Sequence, residues 1–127
     1  MKILKSSASI RKAIGELMAP GGGRRVAISA FVGDGARAFI RKPLGVEIIC
    51  WPRAGGTNPL ELNRLKNAGA HISFADRLHM KVYWAAKRGA IVGSANLSTN
   101  ALGAGGLKEF GVLLPPGSID IDELIGP

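Results

Sequence analysis

The chain has 127 residues, of which 46% are hydrophobic, so it is long enough for one domain with a buried core. Seventeen lysines and arginines oppose nine acidic residues, which gives a formal net charge of +8. Three of the acids, Asp120, Asp122 and Glu123, lie near the C-terminus, so the rest of the chain is more basic still. This charge predicts a polyanionic partner, of which nucleic acid is the commonest.

Several classes of protein are excluded by what the sequence lacks. The single cysteine, Cys50, rules out an internal disulfide, and its apolar surroundings predict a buried thiol. Without a cluster of Cys and His we expect neither zinc nor another cofactor. No apolar run approaches about 18 residues, and no signal peptide is recognisable, so we expect a cytoplasmic protein without a membrane partner.

The first predicted element is a helix over residues 6–19, with Ser7 or Ser9 as its N-cap. Its buried face is predicted from apolar side chains at helical spacing: Ile10, Ile14, Leu17 and Met18. A second helix has clearer signals, because Asn58 is a good N-cap and Pro59 suits the first helical position. This helix runs to about Ala68, and Gly69 suits its left-handed end.

Strands are predicted where apolar residues alternate or run continuously between turn residues. The predicted strands cover residues 24–32, 45–51, 71–75, 79–84, 89–92 and 108–114, with a hairpin turn at 87–89, a short helix over 35–40 and another helix after Asn96. Strands that alternate with helices and end in a hairpin predict an α/β sandwich with a mixed β-sheet flanked by helices. We expect one domain over residues 1–114, with its core at 24–114 and an acidic tail or linker at 115–127.

The most informative stretch runs from His79 to Asn96. In a strand, His79, Lys81 and Tyr83 share one face. The other face is predicted to be core: Leu78, Met80, Val82 and Trp84. His71, the other histidine, follows the end of a helix and is expected to lie at the surface or serve the fold.

The spacing of these residues resembles the motif of the phospholipase D superfamily. His79-x-Lys81 is followed twelve residues later by Gly93-Ser94-x-Asn96, as in that motif. The resemblance covers about residues 24–114 and implies the phospholipase D-like sandwich. The family pattern has an Asp at the position of Ala86, and single-motif, nuclease-like members also lack it. A Glu after the motif in the family corresponds to Glu109.

The residue types also fit phosphodiester chemistry. His79 can attack phosphorus as a neutral imidazole and form a covalent phosphohistidine. Lys81, Asn96 and Ser94 offer a charge, an amide and a hydroxyl to the phosphate. Glu109 is the candidate carboxylate for the other nitrogen of the imidazole, and no metal is required.

One histidine cannot act as nucleophile and as leaving-group acid on opposite sides of one phosphate. We therefore expect a symmetric homodimer in which the two copies of His79 face the same phosphate. The resemblance supports this, because short members of the family pair to complete their active site. The predicted activity is metal-independent cleavage of nucleic acid, with DNA favoured over RNA. Basic residues on loops are expected to follow the backbone: Arg53, Arg77, Lys87 and Arg88.

Two other functions remain open at this point. The chain could be a weak or inactive nucleic-acid-binding module of the same fold, since Ala86 replaces the motif Asp. It could also be a phospholipid phosphodiesterase or transferase, although the positive charge and the lack of membrane-seeking apolar surface disfavour that reading.

Overall fold

The structure, a computed structural model, describes residues 1–54, 56–97 and 109–126. Its strands are β1 (Lys2–Leu4), β2 (Arg25–Ser29), β3 (Glu47–Cys50), β4 (His71–Phe74), β5 (Lys81–Ala85), β6 (Gly89–Gly93) and β7 (Gly111–Leu114). Its α-helices are α1 (Ser7–Met18), α2 (Pro59–Asn67) and α3 (Ile121–Ile125), and a 3₁₀ turn covers Ala36–Ala38. The strands form one sheet in the order β1-β7-β6-β5-β2-β3-β4.

The sheet is mixed, as predicted. Strands β2, β3 and β4 are parallel, whereas β5, β6, β7 and β1 pair in antiparallel fashion. Because β5 and β7 run against the parallel strands, they begin where β2, β3 and β4 finish, and β6 finishes there too. We call this the carboxyl end of the sheet and the other the amino end. Parallel strands commonly place ligands at their carboxyl end.

Apolar residues cover both faces of the sheet. The larger cluster lies under α1 and α2 and includes Ile14, Ile48, Leu65 and Ile91. The buried positions predicted on the first helix are confirmed, since all four are at most 3% exposed. The second cluster joins β2 and β5 to the segment that precedes β5 and to the start of α3. Both faces of the central strands are therefore buried, which explains their near-continuous apolar sequences.

Local capping chemistry sets the helix starts. The Oδ1 atom of Asn58 accepts the backbone N–H of Leu60 at 2.9 Å, and Pro59 begins α2, as predicted. Gly69 has a φ of +103°, the left-handed backbone expected after this helix. The cap of α1 was not predicted correctly: Ser6 accepts the N–H of Ser9, so neither Ser7 nor Ser9 is the cap.

Several boundaries differ from the predictions. The strand predicted over 79–84 begins at Lys81, and the one predicted over 108–114 begins at Gly111. The helix predicted over 35–40 shortens to one 3₁₀ turn. Strand β1 was not predicted, because three residues gain strand structure only through their pairing with β7. The helix predicted after Asn96 lies outside the described residues.

Within the segment 115–127, predicted as an acidic tail or linker, Ile119 and Ile121 pack on the domain. Asp120 caps α3 by accepting the N–H of Glu123, and Ile121 is 2% exposed. Arg24 bonds both Glu47 and Asp122 at 2.8 Å. These two partners raise the pKa of the Arg24 guanidinium above its ordinary value, with the Glu47 hydrogen bond as the largest cause.

We expect Ile121→Ala to lower the free energy of unfolding by about 2 kcal/mol, near the lower end of the range for buried isoleucine, because α3 lies at the periphery. Urea denaturation of the full chain measures this. Leu124→Ala is the control on the same helix, since Leu124 is 37% exposed. Equal stability of the two variants would mean that α3 adds nothing to the core.

Two other predictions from composition can be compared with the structure. Cys50 is fully buried, as predicted, and burial raises the pKa of its thiol to about 11. Among the described residues, no helix is both long and apolar enough to cross a bilayer.

Candidate active site

The five predicted catalytic residues lie at the carboxyl end of the sheet. Lys81 is the first residue of β5 and pairs across the sheet with Ser29, the last residue of β2. His79 lies two residues before β5 and is exposed, whereas Lys81 is half-buried. The alternation predicted for this stretch fails at Met80, which is 38% exposed, because β5 has not yet begun there.

Asn96 lies beside the end of β2, where the hydroxyl of Ser29 donates to the carbonyl of Phe31 at 2.7 Å. The side-chain oxygen of Asn96 accepts the N–H of Phe31 at 3.2 Å and lies 3.4 Å from the Oγ atom of Ser29. Ser29 is fully buried, and its Oγ atom also accepts the N–H of Leu97 at 3.0 Å. The hydrogen bond from Phe31 orients the amide group of Asn96, and no described residue accepts a hydrogen bond from its N–H groups. Ser29, which was not predicted, thus lies beside both Lys81 and Asn96.

Tyr83 contacts the segment after β6 that carries Asn96. Its hydroxyl donates to the carbonyl of Ala95 at 2.7 Å, and the side chain is 1% exposed. Burial raises the pKa of the phenol above its ordinary value, and the negative charge of Glu109 raises it further. The hydroxyl therefore stays protonated and keeps donating to the loop that carries Asn96.

Ser94 and Glu109 form a second pair at this end. The hydroxyl of Ser94 donates to a carboxylate oxygen of Glu109 and accepts the N–H of Phe110 at 3.1 Å. Among the described residues, no hydrogen bond joins Glu109 to His79. The structure therefore gives Glu109 a serine partner where the sequence predicted an imidazole.

Gly93 allows β6 and β7 to approach closely beside this pair. It faces Gly111 in register, and a Cβ atom on Gly93 would lie 2.3 Å from the carbonyl oxygen of Phe110. Any larger residue would separate the two strands that bring Ser94 to Glu109. The glycine of the motif therefore has a steric role.

Two of the four predicted nucleic-acid contacts lie at the carboxyl end. The guanidinium of Arg53 lies 5.3 Å from the ring centroid of Trp51, which stacks on Phe31 at 5.9 Å. Arg77 is exposed in the turn before β5, with a left-handed φ of +56°. Both arginines add positive charge near the site. Within the described residues, no three Asp, Glu, His or Cys side chains cluster as metal ligands would.

No family model and no curated protein matches the sequence. The structure is similar to that of Nuc, a phospholipase D family member from Salmonella typhimurium, with a TM-score of 0.64 and 18% identity over 91% of this chain and 83% of that chain. The chain has a phospholipase D-like fold. A second similar structure is TrmBL2, an archaeal chromatin protein that binds DNA, with a TM-score of 0.55 and 11% identity. That match covers 91% of this chain and 45% of TrmBL2.

Ala86, which stands where the family pattern has an Asp, lies far from the candidate site in this fold. Ala86 is exposed in the turn between β5 and β6, at the amino end of the sheet. The five residues of β5 separate it from Lys81 by about 16 Å at the usual rise of a strand. An alanine there does not remove a group from the carboxyl end.

The same turn carries Lys87 and Arg88, so the prediction that these residues flank the site is wrong. The guanidinium of Arg88 donates to three carbonyl oxygens around the end of α1, those of Glu16, Ala19 and Pro20. Its role in this fold is to satisfy a helix terminus. Lys87 is exposed beside it.

We expect Ser29→Ala to weaken both stability and any activity that depends on Asn96. The change leaves the buried N–H of Leu97 without its partner, which costs about 1–3 kcal/mol. Urea denaturation and a cleavage assay measure the two effects. Ser73→Ala, an exposed serine on β4, is the matched control, and indistinguishable variants would contradict the role of Ser29.

Proposed function

We propose that this protein is a metal-independent phosphodiesterase that cleaves nucleic acid, with DNA favoured over RNA. The main support is the arrangement of Lys81 and Asn96 around buried Ser29, with His79 two residues upstream, in a phospholipase D-like fold. The strongly basic chain favours a polyanionic substrate. A cytoplasmic location is part of this proposal.

The proposed reaction has two steps. An imidazole nitrogen of His79 forms a bond to phosphorus while the bond to the leaving oxygen breaks. A protonated His79 of a second copy gives its proton to that oxygen. Water then attacks the phosphohistidine, the second imidazole takes the proton of the water, and the bond between phosphorus and nitrogen breaks.

The other side chains have charge and positioning roles in this scheme. Lys81 and the amide of Asn96 offer donors to the phosphoryl oxygens as charge builds up on them. The hydrogen bond between Ser94 and Glu109 joins the residue that follows β6 to the segment that precedes β7. The sequence predicts Glu109 as the carboxylate partner of the His79 imidazole, and this role stays part of the proposal.

Homodimerisation follows from the single His-x-Lys in the chain. Two copies related by a two-fold axis supply a nucleophile and an acid to the same phosphate. Analytical ultracentrifugation should give a dimer under assay conditions. A strict monomer with full activity would defeat this part of the proposal.

Cleavage in excess chelator is the central test. Plasmid, single-stranded DNA and RNA are incubated with the protein, and Lys81→Ala is assayed beside the wild type. We expect cleavage of at least the DNA substrates. Lys81→Ala should severely reduce the cleavage rate, because it removes a positive charge that interacts with the negative phosphate. Turnover of phosphatidylcholine vesicles without nucleic-acid cleavage would favour a lipid substrate.

The similarity to TrmBL2 favours one alternative, a nucleic-acid-binding module without turnover. Filter binding distinguishes the two functions with the same substrates. If every substrate is retained on the filter and none is cleaved, the result would support the binding module and contradict the proposed phosphodiesterase activity.

A further inference from the structure

A basic groove that shares no residue with the candidate site lies between α1 and the segment that follows the 3₁₀ turn. Its cavity has a volume of about 500 Å³ and its floor includes Met18 and Phe39. Four cationic side chains surround it, against one acid, Glu16. The cations of the basic groove are Arg11, Lys12, Arg41 and Lys42.

These cations are free to meet a ligand. All four are exposed, and none of them forms an ion pair with another described residue. The Cζ atom of the Arg11 guanidinium lies 5.5 Å from the ring centroid of Phe39, which is within cation–π distance. A cleft that gathers four unpaired cations around an apolar floor is suited to an anion that also has apolar parts.

Gly15 also indicates an open cavity. It lies within α1 and lines the groove, and a Cβ atom there would meet nothing within 4 Å. Glycine inside a helix costs about 1 kcal/mol relative to alanine, and no neighbouring atom requires it here. The missing side chain at Gly15 leaves this part of the groove open.

The groove begins near the carboxyl end of the sheet. Ile10, next to Arg11, lies 3.6 Å from the place where a Cβ of Gly111 would be, at the start of β7. The end of α1 lies at the amino end, since the carbonyl of Met18 accepts from Arg25, the first residue of β2. A bound strand that extends from the candidate site can therefore run along α1 towards the amino end of the sheet.

We propose that the basic groove binds one or two nucleotides of single-stranded nucleic acid outside the site of cleavage. The inference rests on the proposed function for the identity of the partner. Cationic grooves with apolar walls follow single strands, with phosphates on the cations and bases on the walls.

The test measures binding apart from cleavage, in the 127-residue chain with the substitution His79→Ala. Fluorescence anisotropy of a labelled single-stranded DNA of about 12 nucleotides gives Kd at several salt concentrations. We expect Arg11→Glu/Arg41→Glu to raise Kd at least about tenfold and to lower the salt slope by about 2. Gly15→Met, which fills the cavity without changing charge, should raise Kd about fivefold.

Lys2→Glu/Lys66→Glu is the matched control, because both lysines are exposed outside the groove and the charge change is the same. Groove variants that bind as tightly as this control would overturn the inference. Displacement of the DNA by polyglutamate at equal charge would also overturn the inference, because it would indicate that the ligand of the basic groove is an acidic polypeptide. Failure of the wild type to cleave, with groove-dependent binding intact, would overturn the proposed function alone.

Discussion

His79→Ala should reduce cleavage in excess chelator by at least about 10⁴-fold, which corresponds to about 5 kcal/mol of transition-state stabilisation. The change removes the only proposed nucleophile, and neither Lys81 nor Asn96 can replace an imidazole that forms a bond to phosphorus. His79 is exposed and lies outside the strands, so the fold should not depend on it. The midpoint of urea denaturation should therefore stay unchanged.

The chain contains its own control for this experiment. His71 is also exposed, but it begins β4 at the amino end of the sheet. His71→Ala should cleave like the wild type. Equal losses in the two histidine variants, or cleavage that survives His79→Ala, would contradict the assignment of the nucleophile.

The same variant tests the shared site in mixtures. If one phosphate needs His79 from both copies, a dimer with one altered copy is inactive. An excess of the His79→Ala protein should then lower the activity measured per wild-type chain. Activity that stays constant per wild-type chain would indicate that each copy acts alone.

Gly93→Ala should destabilise the fold by about 3 kcal/mol and abolish most cleavage. The added Cβ would lie 2.3 Å from the carbonyl oxygen of Phe110 and 2.9 Å from the Cα atom of Gly111. Both contacts are with backbone, so β6 and β7 must separate for the side chain to fit. That separation would pull Ser94 away from Glu109.

Gly15→Ala provides the contrast, because a Cβ there meets nothing within 4 Å. Alanine should stabilise α1 by up to about 1 kcal/mol. Urea denaturation compares the two variants directly. A Gly93→Ala protein as stable as the wild type would mean that the close approach of the strands is not needed.

The fold was predictable wherever local chemistry decides structure. Asn58, Pro59 and Gly69 fix α2 by capping and backbone preference, which depend only on neighbours in sequence. The mixed sheet followed from the order of strands and helices. In contrast, β1 depends on pairing with β7, and the ion pair between Arg24 and Asp122 joins residues 98 apart.

The candidate site also combines features that the local sequence shows with contacts between residues far apart in the chain. The spacing of His79, Lys81 and Asn96 was visible in the sequence, and the fold brings Lys81 and Asn96 to one end of the sheet. Ser29 could not be found in this way, because its contact with Asn96 spans 67 residues. Arg88 was misplaced because a sequence does not show at which end of the sheet a hairpin turn lies.

The exposed turn at the amino end has a practical use. Cys50 is the single thiol of the chain and is fully buried, with a pKa high enough to keep it protonated and unreactive at neutral pH. Ala86→Cys would therefore introduce one accessible thiol for a fluorophore or a spin label. A reporter attached there would test the proposed dimerisation from the end of the sheet opposite the proposed catalytic residues.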